Sequence, residues 1–430
     1  MAVSRLKIAI VGAGPGGLTL AALLHKQSIP FTLFELRPRP TPADIEKPSG
    51  SLDMHEGTGL TAIRELNLYD KFCTLTGDCT QVMKIADKSG KVLYVEEAED
   101  AVAGENRPEI ARNKLTELLL SAVPQDSIKW EHKLLSAKQT TGTAAVELDM
   151  GAKGRESFDL VIGADGAWSK VRALLTDFNP KFAGQHFITA SVRNITERYP
   201  HLAEFVGSGT LMVLGEGHGL ISQRAANDTA RFYTLIKTDD GNFTESQGLD
   251  TMTALQVKSM LLEGQSAPLR HFGPVVKELI TAACADEERV NPGQPLEHRP
   301  LYTLDGTPNG FSWPRRAGAT LLGDAAHLMP PNGEGVNMAM RDAMDLSKVI
   351  GKACTKLSDG TQSSQDVLDP LLSEYETEIK QRAETEAEET RGLLGAMYGS
   401  DNGAEAMVKM FQEFMAGHGQ EEHIVKPIDS

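Results

Sequence analysis

Lys7 to Glu35 reads KIAIVGAGPGGLTLAALLHKQSIPFTLFE, and this stretch decides the fold. The apolar run Ile8–Val11 predicts a buried parallel strand. Gly12, Gly14 and Gly17 follow it in G-x-G-x-x-G spacing and lead into a helical segment. In that arrangement the first glycine permits a tight turn, the second lets backbone approach a pyrophosphate, and the third lets the helix pack closely on the strand. The stretch therefore predicts a dinucleotide site at a helix N-terminus.

A second apolar run, Phe31 to Phe34, predicts a neighbouring strand that ends in Glu35. Glu35 lies 18 residues after Gly17, where such a unit places an acid that accepts hydrogen bonds from a ribose 2′-OH. The carboxylate also disfavours NADP in this site, because it would repel the extra phosphate. Two alternatives compete with this interpretation: a glycine-rich turn without a ligand, and a signal peptide. We reject the signal peptide because its cleavage would destroy the glycine motif.

Composition limits the classes of protein to which the chain can belong. With 430 residues, we expect two interleaved domains. The formal net charge of −16 disfavours nucleic acid and anionic membranes as partners. The four scattered cysteines lack the spacing of a zinc site, so we expect reduced thiols, no metal site and a cytoplasmic protein. No apolar run of about 18 residues predicts a membrane span, and we expect a monomer.

Two later segments repeat the pattern of an apolar strand followed by a polar loop. Phe158 to Ile162 leads into Gly163-Ala164-Asp165-Gly166, and Ala319 to Leu322 leads into Gly323-Asp324. A helix follows from about Gly335. Because the carboxyl ends of parallel strands meet at one edge of a sheet, where ligands of such folds bind, we expect three distant segments to supply loops to one site.

The remaining segments predict a second domain. A hairpin signal at 81–95 and strand-like alternation over about 182–237 indicate a mostly antiparallel sheet that carries the substrate pocket, and the prolines at 292–300 indicate a connector. We predict an α/β fold, with a Rossmann-like domain and parallel sheet in residues 1–75, 101–175 and 295–352, and an interleaved substrate domain in 76–100 and 176–294. The charged segment 365–416 predicts one amphipathic helix that bridges both domains.

Three motifs together resemble those of the single-component, FAD-dependent aromatic hydroxylases, the class A flavoprotein monooxygenases. They are the glycines at 12–17, Asp165-Gly166, and Gly323-Asp324-Ala325-Ala326-His327 with the Pro-Pro sequence that follows. The similarity spans nearly the whole chain. Within that family, residues 51–55, 108–113 and 169–172 resemble the tetracycline-inactivating enzymes, which implies a tetracycline-like substrate and a role in antibiotic resistance.

The resemblance implies that the cofactor carries the chemistry, so no side chain is assigned a catalytic role. FAD would be reduced by NADPH or NADH, which docks transiently, and would react with O2 to a C4a-hydroperoxyflavin that hydroxylates the substrate. His327 is interpreted as a residue that packs its loop rather than as a base. The residues expected to bind FAD are Gly12, Gly14, Gly17, Glu35, Arg37, Asp53, Arg112, Asp165, Gly323, Asp324, Pro331, Gly335, Val336 and Asn337.

Four residues of the predicted antiparallel sheet are expected to contact the substrate: Thr210, Met212, Arg231 and Tyr233. By resemblance, Thr210 stands where the tetracycline enzymes have Arg, while Arg231 and Tyr233 replace His and Gly. We therefore expect a bulky phenolic or polycyclic enol substrate whose acidic oxygen pairs with Arg231. The alternation of side chains along a strand leaves open the alternative that Arg231 faces solvent.

Other functions compete with a monooxygenase. A flavin-dependent halogenase would carry a Trp-x-Trp-x-x-Pro sequence, which is absent because the tryptophans are Trp130, Trp168 and Trp313. Another FAD oxidoreductase would share the cofactor motifs. A non-catalytic binding protein of the same fold would have no reason to retain Gly323-Asp324.

Overall fold

The computed structural model describes residues 6–47, 49–76, 82–96, 107–307, 310–358 and 363–417. Parts of the predicted segment 76–100, namely 77–81 and 97–100, lie outside them. The strands are β1 (Ile8–Val11), β2 (Thr32–Phe34), β3 (Ser51–Asp53), β4 (Met83–Asp87), β5 (Val92–Glu96), β6 (Glu109–Ala111), β7 (Ile128–Lys129), β8 (Ser136–Gln139), β9 (Val146–Asp149), β10 (Arg155–Phe158), β11 (Leu160–Gly163), β12 (Lys181–Val192), β13 (Thr210–Gly215), β14 (His218–Ala225), β15 (Thr229–Lys237), β16 (Glu297–Thr303) and β17 (Ala319–Leu321).

The α-helices alternate with these strands in the first half of the chain and dominate its end. They are α1 (Pro15–Lys26), α2 (Pro42–Ile45), α3 (Gly59–Glu65), α4 (Tyr69–Cys73), α5 (Arg112–Leu120), α6 (Arg172–Leu175), α7 (Ile195–Arg198), α8 (Pro200–Val206), α9 (Phe243–Gln247), α10 (Ala254–Leu262), α11 (Pro274–Val290), α12 (Asp324–His327), α13 (Gly335–Leu357), α14 (Ser364–Tyr398) and α15 (Gly403–Gly417).

A five-stranded sheet in the order β17-β11-β1-β2-β7 carries the glycine motif. All of its described pairings are parallel, which confirms the predicted parallel sheet. Its strands are continuous apolar runs because helices cover both faces: Ile8, Ala9 and Ile10 are all nearly inaccessible to solvent. The loops after β1, β11 and β17 therefore emerge at one edge, as the sequence predicts.

A seven-stranded sheet in the order β16-β12-β15-β14-β13-β4-β5 forms the second half of the molecule. Its pairings are antiparallel except that of β13 with β4, so the expected mostly antiparallel sheet is confirmed. One face packs against α10 and α11 through residues such as Val213, Phe232 and Ile236. The other face looks toward the parallel sheet, and this geometry leaves a space between the two sheets.

The predicted connector at 292–300 is wrong in part, because β16 begins at Glu297 and pairs with β12. Pro300 is tolerated there since β16 is an edge strand, where a missing backbone N–H leaves no partner unsatisfied. Among the described residues, no helix combines the length and apolar character needed to cross a bilayer. The domain boundaries stay a prediction.

The single bridging helix predicted over 365–416 is also wrong, because the structure has two helices, α14 and α15. The residues between them, Gly399-Ser400-Asp401-Asn402, are the types that favour turns. The backbone of this turn is held by the hydrogen bond from the N–H of Glu216 to the carbonyl of Asp401, 3.1 Å. The second helix then packs on β4, β5 and β13.

Candidate active site

One cavity of about 1530 Å³ lies between the two sheets. Typical ligand pockets measure about 300–1,000 Å³, so this space is large enough for a dinucleotide and a second molecule together. Its lower wall comes from the loops of the parallel sheet, and its upper wall comes from the seven-stranded sheet and the two C-terminal helices. The two walls differ in chemistry.

The glycine motif forms part of the lower wall, and each glycine has a distinct steric role. Gly12 has φ +106°, and a Cβ there would lie 2.2 Å from the carbonyl oxygen of Ala164. A Cβ on Gly17 would lie 2.0 Å from the oxygen of Gly12, so the third glycine is required for close packing of helix on strand. A Cβ on Gly14 would meet no atom within 4 Å and would point into open space at the start of α1. The tight turn at Gly12 and the close packing at Gly17 agree with the sequence, and the approach of a pyrophosphate at Gly14 stays a prediction.

Glu35 and Arg37 lie at the end of β2, where the sequence predicts a ribose contact. The Glu35 carboxylate accepts hydrogen bonds from Ala13 N at 2.8 Å and from the N and Nε of Arg37 at 3.0 and 2.8 Å. Burial opposes ionisation, but these hydrogen bonds outweigh it and lower the pKa of Glu35. The structure thus gives this acid protein partners on both oxygens and leaves the Arg37 side chain 68% exposed.

Gly323 and Asp324 project from the end of β17 into the cavity. Gly323 has φ +59° and donates its N–H to the buried carboxylate of Asp342 at 3.0 Å. Asp342 also accepts from His327 Nε2 at 2.6 Å and from Arg382 at 2.9 Å. His327 is buried against Asp342 and also borders the cavity, and its interpretation as a residue that packs its loop stays a prediction. Asp324 itself has no hydrogen bond or ion pair within the described part of the chain and lines the cavity.

Asp165 does not line the cavity, although the sequence predicts that it binds the cofactor. Its carboxylate accepts from Ser169 Oγ at 2.5 Å, from Lys170 N at 2.7 Å and from Val171 N at 3.4 Å. Burial raises the pKa of Asp165 against these hydrogen bonds. Asp165 faces away from the cavity because the turn after β11 leaves backbone N–H groups without helical partners, and the Asp165 carboxylate accepts their hydrogen bonds. Gly166 of the same loop does line the cavity.

The first turn of α13 brings Gly335 and Val336 to the cavity, and Pro331 lines the wall just before it. The Asn337 side chain points elsewhere: its Oδ1 accepts from His55 N at 3.0 Å, and its Nδ2 donates to Asp53 O at 2.9 Å. The amide side chain therefore ties α13 to the loop after β3 and leaves only its backbone N–H for a ligand. The sequence could not indicate this contact across 282 positions.

Asp53 at the end of β3 and Arg112 at the start of α5 line the cavity. Burial raises the pKa of the Asp53 carboxyl, against the fields of His55 and Arg107. Burial likewise lowers the pKa of Arg112, and the charge of Arg299 adds to that effect. The Arg112 guanidinium is accessible from the cavity although protein surrounds it, and within the described residues it forms no hydrogen bond or ion pair. Both charges are thus open to a ligand.

The four residues predicted to contact substrate share one face of the seven-stranded sheet. Thr210 lies opposite Gln223, which lies opposite Arg231, and Met212 is linked in the same way through Ile221 to Tyr233. All four line the cavity. The alternative in which Arg231 faces solvent is therefore excluded, since only 13% of its side chain is exposed.

Arg231 is nevertheless not a free charge. Its Nη2 lies 2.5 Å from Glu297 Oε2, and its Nε donates to the Tyr233 hydroxyl at 3.2 Å. That hydroxyl packs against Gly50, where a Cβ would lie only 2.5 Å away. Tyr233 thus joins the sheet to the loop that precedes β3. The expectation that Arg231 offers an unpaired guanidinium to a substrate is corrected.

Sequence reasoning missed much of the upper wall. Phe187, Arg299 and Leu301 of β12 and β16 line it, and so do Leu393, Leu394, Met397 and Tyr398 of α14 and Phe411 and Phe414 of α15. Apolar residues at helical spacing in 393–398 were a usable signal for α14. For β16 the alternation of Glu297, Arg299 and Leu301 was the signal, but the neighbouring prolines obscured it.

These features fit FAD. Gly14 leaves open space where a phosphate backbone would approach, and the free N–H groups at the start of α1 favour anions. Arg112 adds a cation, Asp324 adds an acceptor for hydroxyl groups, and Gly335 with Val336 points a second helix start into the same space. The site thus has donors for phosphates and a second positive helix end for an electron-accepting ring.

Known families and proteins match this chain over the segments that form the cavity. Residues 5–256 and 314–390 match the family model described as FAD binding domain. Monooxygenase penA of Penicillium thymicola is 38% identical to this chain over 433 residues, which cover 94% of this chain and 97% of that protein. The family match includes every loop of the lower wall, and the relative is matched over nearly its full length.

Solved structures share the fold at low sequence identity. HpxO of Klebsiella pneumoniae, complexed with FAD and uric acid, has a TM-score of 0.71 at 19% identity over 96% of this chain and 94% of that one. The tetracycline destructase Tet(51) has a TM-score of 0.65 at 16% identity over 98% of this chain and 100% of that one. Both likenesses confirm the predicted fold class.

Proposed function

This chain belongs to the FAD binding domain family and is an FAD-dependent monooxygenase, and from that premise we propose its reaction. NADPH or NADH is the reductant, O2 is the oxidant, and a bulky phenolic or enolic aromatic compound is hydroxylated. One observation carries the proposal: a single cavity has one wall suited to a dinucleotide and an opposite wall suited to an aromatic molecule. Both ligands would therefore meet in one enclosed space.

The lower wall would hold FAD through the residues that face the cavity. The start of α1 and Arg112 would bind phosphate, Asp324 would accept hydrogen bonds from hydroxyls, and the start of α13 would face the ring. When bound and reduced, the cofactor supplies the activation of O2 and the transfer of one oxygen atom. The glycine motif, once filled by FAD, is not free for the nicotinamide cofactor, so the reductant would dock transiently.

The upper wall would bind and orient the substrate. Met212, Phe187 and Leu301 offer an apolar surface, and the side chains of α14 and α15 close it. This cover would exclude water from the reacting carbon, which protects the activated oxygen from side reactions. Tetracycline-like polycyclic compounds fit the size of the space, and the fold shared with Tet(51) supports testing them first.

The test is flavin content and substrate-dependent turnover of the purified protein. We expect bound, non-covalent FAD, slow NADPH oxidation without substrate, and faster oxidation with a hydroxylated product when a phenolic or enolic compound is added. Asp324→Ala should lose most of the flavin and remain folded, since the Asp324 side chain forms no hydrogen bond or ion pair within the described residues. Asp239→Ala, at an exposed acid that does not line the cavity, should keep the flavin. Flavin binding without any NADPH or NADH oxidation across a panel of aromatic compounds would instead favour a binding protein.

A further inference from the structure

Four arginines line the cavity, Arg107, Arg112, Arg231 and Arg299, and the last three differ in what neutralises their guanidinium groups. Arg231 lies on β15, Arg299 on the edge strand β16, and Arg112 at the opposite wall. Arg231 is paired with Glu297 at 2.5 Å. An ion pair of this kind cancels most of the attraction that either charge would offer a third group. Arg231 therefore contributes shape and hydrogen bonding more than charge.

Arg299 has no such partner. Within the described residues, its guanidinium forms no hydrogen bond or ion pair, and its only ring contact is with Phe187, at 5.9 Å from the centroid. The register of β12 and β16 places Arg299 directly opposite Phe187, and Phe187 lies opposite Leu235 of β15. The cation is thus set beside an aromatic and aliphatic surface on the cavity face of the sheet.

Arg112 and Arg299 act on each other across the cavity. The charge of Arg299 is one cause of the lowered pKa of Arg112, so the two like charges are close enough to repel. FAD phosphate would neutralise Arg112 from below. Arg299 then keeps an unpaired positive charge next to an apolar surface, an arrangement that favours an anion attached to an aromatic ring.

We propose that Arg299, not Arg231, binds the ionised oxygen of the substrate, and that the substrate is an aromatic anion such as an enolate, phenolate or carboxylate. This assignment rests on the proposed function and gives the substrate class of that site. Because Glu297 pairs with Arg231, Arg231 does not compete for the same anion. The Phe187 side chain packs against the aromatic ring of the substrate to which the ionised oxygen is attached. The negative charge of the substrate is thus bound by Arg299 on the edge strand β16, at the border of the cavity.

The experiment measures equilibrium binding of a matched pair of probes to the FAD-loaded enzyme, without any reductant. The probes are 3-hydroxy-2-naphthoate, an anion, and 3-hydroxy-2-naphthamide, its neutral counterpart, and flavin fluorescence reports binding. Wild type should prefer the anion by about tenfold, or about 1.4 kcal/mol. Arg299→Gln should lose that preference and bind the amide within about twofold of wild type. Arg299→Lys should retain part of it, because the charge stays and the fork geometry is lost.

Glu297→Gln should have the opposite effect to Arg299→Gln on binding of the anion. It frees the charge of Arg231, so we expect the anion to bind about threefold more tightly. Arg270→Gln is the matched control, since Arg270 is exposed and does not line the cavity, and it should leave both affinities unchanged. The proposal is overturned if Arg299→Gln keeps the preference for the anion, or if it weakens both probes equally.

A third measurement separates the substrate from the reductant. If Arg299→Gln raises the KM for NADPH and leaves both probe affinities unchanged, Arg299 belongs to the reductant and the proposal is overturned. If wild type prefers the anion but no aromatic anion stimulates NADPH or NADH oxidation, the proposed function fails and the anion site stands. Loss of the preference in Arg299→Gln together with stimulated turnover in wild type supports both.

Discussion

Gly14 and Gly17 are three residues apart and face opposite environments, and this makes them a matched pair for mutagenesis. Gly17→Ala places a Cβ 2.0 Å from the backbone oxygen of Gly12, so helix and strand must separate. We expect a loss of about 1–3 kcal/mol of stability or more, seen as a lower Tm or as insoluble protein. Gly14→Ala places its Cβ in open space at φ −71°, so the protein should fold as wild type.

The same pair tests the cofactor site. In Gly14→Ala the new methyl group occupies the space through which backbone approaches a pyrophosphate, so FAD affinity should fall about tenfold or more while Tm without FAD is unchanged. Titration of FAD-free protein with FAD gives the dissociation constant. Normal FAD affinity in Gly14→Ala would show that the cofactor does not lie along the start of α1.

Glu386 on α14 makes stability depend on pH. Burial raises its pKa to about 7, and the charges of Glu334 and Glu389 add to this. Since the folded state holds the proton where the unfolded chain has lost it, stability falls as pH rises from the ordinary glutamate pKa of 4.5 through about 7. Glu386→Gln should therefore match wild type at pH 4.5 and be more stable at pH 8 by about 1 kcal/mol, or about 1 °C in Tm, once solvent screening is allowed for.

Glu384→Gln is the control for that prediction, because Glu384 is exposed on the same helix. Its Tm should follow wild type at both pH values in thermal unfolding scans. An equal gain for both variants at pH 8 would indicate a general effect of net charge, which is −16 for this acidic chain. A gain for Glu386→Gln alone would assign the pH dependence to the site beside Asn332, whose side chain donates to Glu386.

The roles of single residues were predictable from the sequence where they depend on neighbouring positions. They were not predictable where they depend on a partner far away in the chain. The glycines at 12, 14 and 17 act on atoms a few positions away, so their spacing alone indicates their roles. The partner of Arg231 is Glu297, 66 positions later and on a different strand. No local pattern indicates a contact that depends on which strands lie side by side, so the pairing that neutralises Arg231 was not predictable.

Helix α13 holds the loop Gly323-Asp324 in place through one buried carboxylate. Asp342 is inaccessible to solvent and receives hydrogen bonds from Gly323 and His327 of one segment and from Arg382 of α14. Its removal leaves His327 and Arg382 without their buried counterion. We expect Asp342→Asn to cost about 3–5 kcal/mol of stability and to lower the flavin content, because the loop that carries Asp324 loses its anchor.

Asp345→Asn is the matched control on the same helix. Asp345 also pairs with Arg382, at 3.2 Å, but its side chain is 16% exposed and it does not contact the loop. Its loss should cost less stability and leave the flavin content unchanged. Thermal unfolding and the ratio of flavin to protein absorbance measure both effects. If the two variants lose flavin equally, Asp342 does not act through the loop.

The pH dependence of this network has opposite signs at its two partners. The charge of Asp342 outweighs burial and raises the pKa of His327, so the stability from His327 is lost as pH rises through that pKa. The pKa of Asp342 is lowered against burial by His327, so its contribution is lost at acid pH. The pair is therefore most stabilising between the two pKa values.

Elements were predicted well where periodicity is local. The parallel strands and α1 follow from continuous apolar runs and helical spacing. Two elements were missed. The turn between α14 and α15 lies inside a charged segment that is also compatible with one continuous helix, and the prolines near β16 are also typical of a connector loop. The order of strands in the large sheet, in which β16 pairs with β12, is a property of packing and not of any segment.

For the whole molecule, the large cavity couples ligand binding to stability. A ligand that binds only the folded state at 100 times its dissociation constant adds about 2.7 kcal/mol, which for a chain of this length is about 3–5 °C in Tm. We expect FAD to raise the Tm of FAD-free protein by that amount. FMN should raise it less, since it lacks the adenosine half that would extend along α1.

Differential scanning fluorimetry with equal molar excess of each flavin measures the two shifts. Gly14→Ala should reduce the shift with FAD and leave the smaller shift with FMN unchanged. Equal shifts for FAD and FMN in wild type would mean that the glycine motif contributes nothing to affinity, in conflict with the place of Gly14 in the cavity wall.

The cavity is lined from Gly14 near one end of the chain to Phe414 near the other, and this sets an order of events during synthesis. The loops that would hold FAD are all made once α13 has begun, whereas α14 and α15, which cover the sheet, follow several seconds later at about 5–20 residues per second. A nascent chain therefore contains all the loops of the cofactor site before α14 and α15 exist to cover the apolar face of the sheet. During that interval Met212, Ile221 and Leu235 are exposed to water. Newly made enzyme can then aggregate through this apolar surface until α14 and α15 cover it.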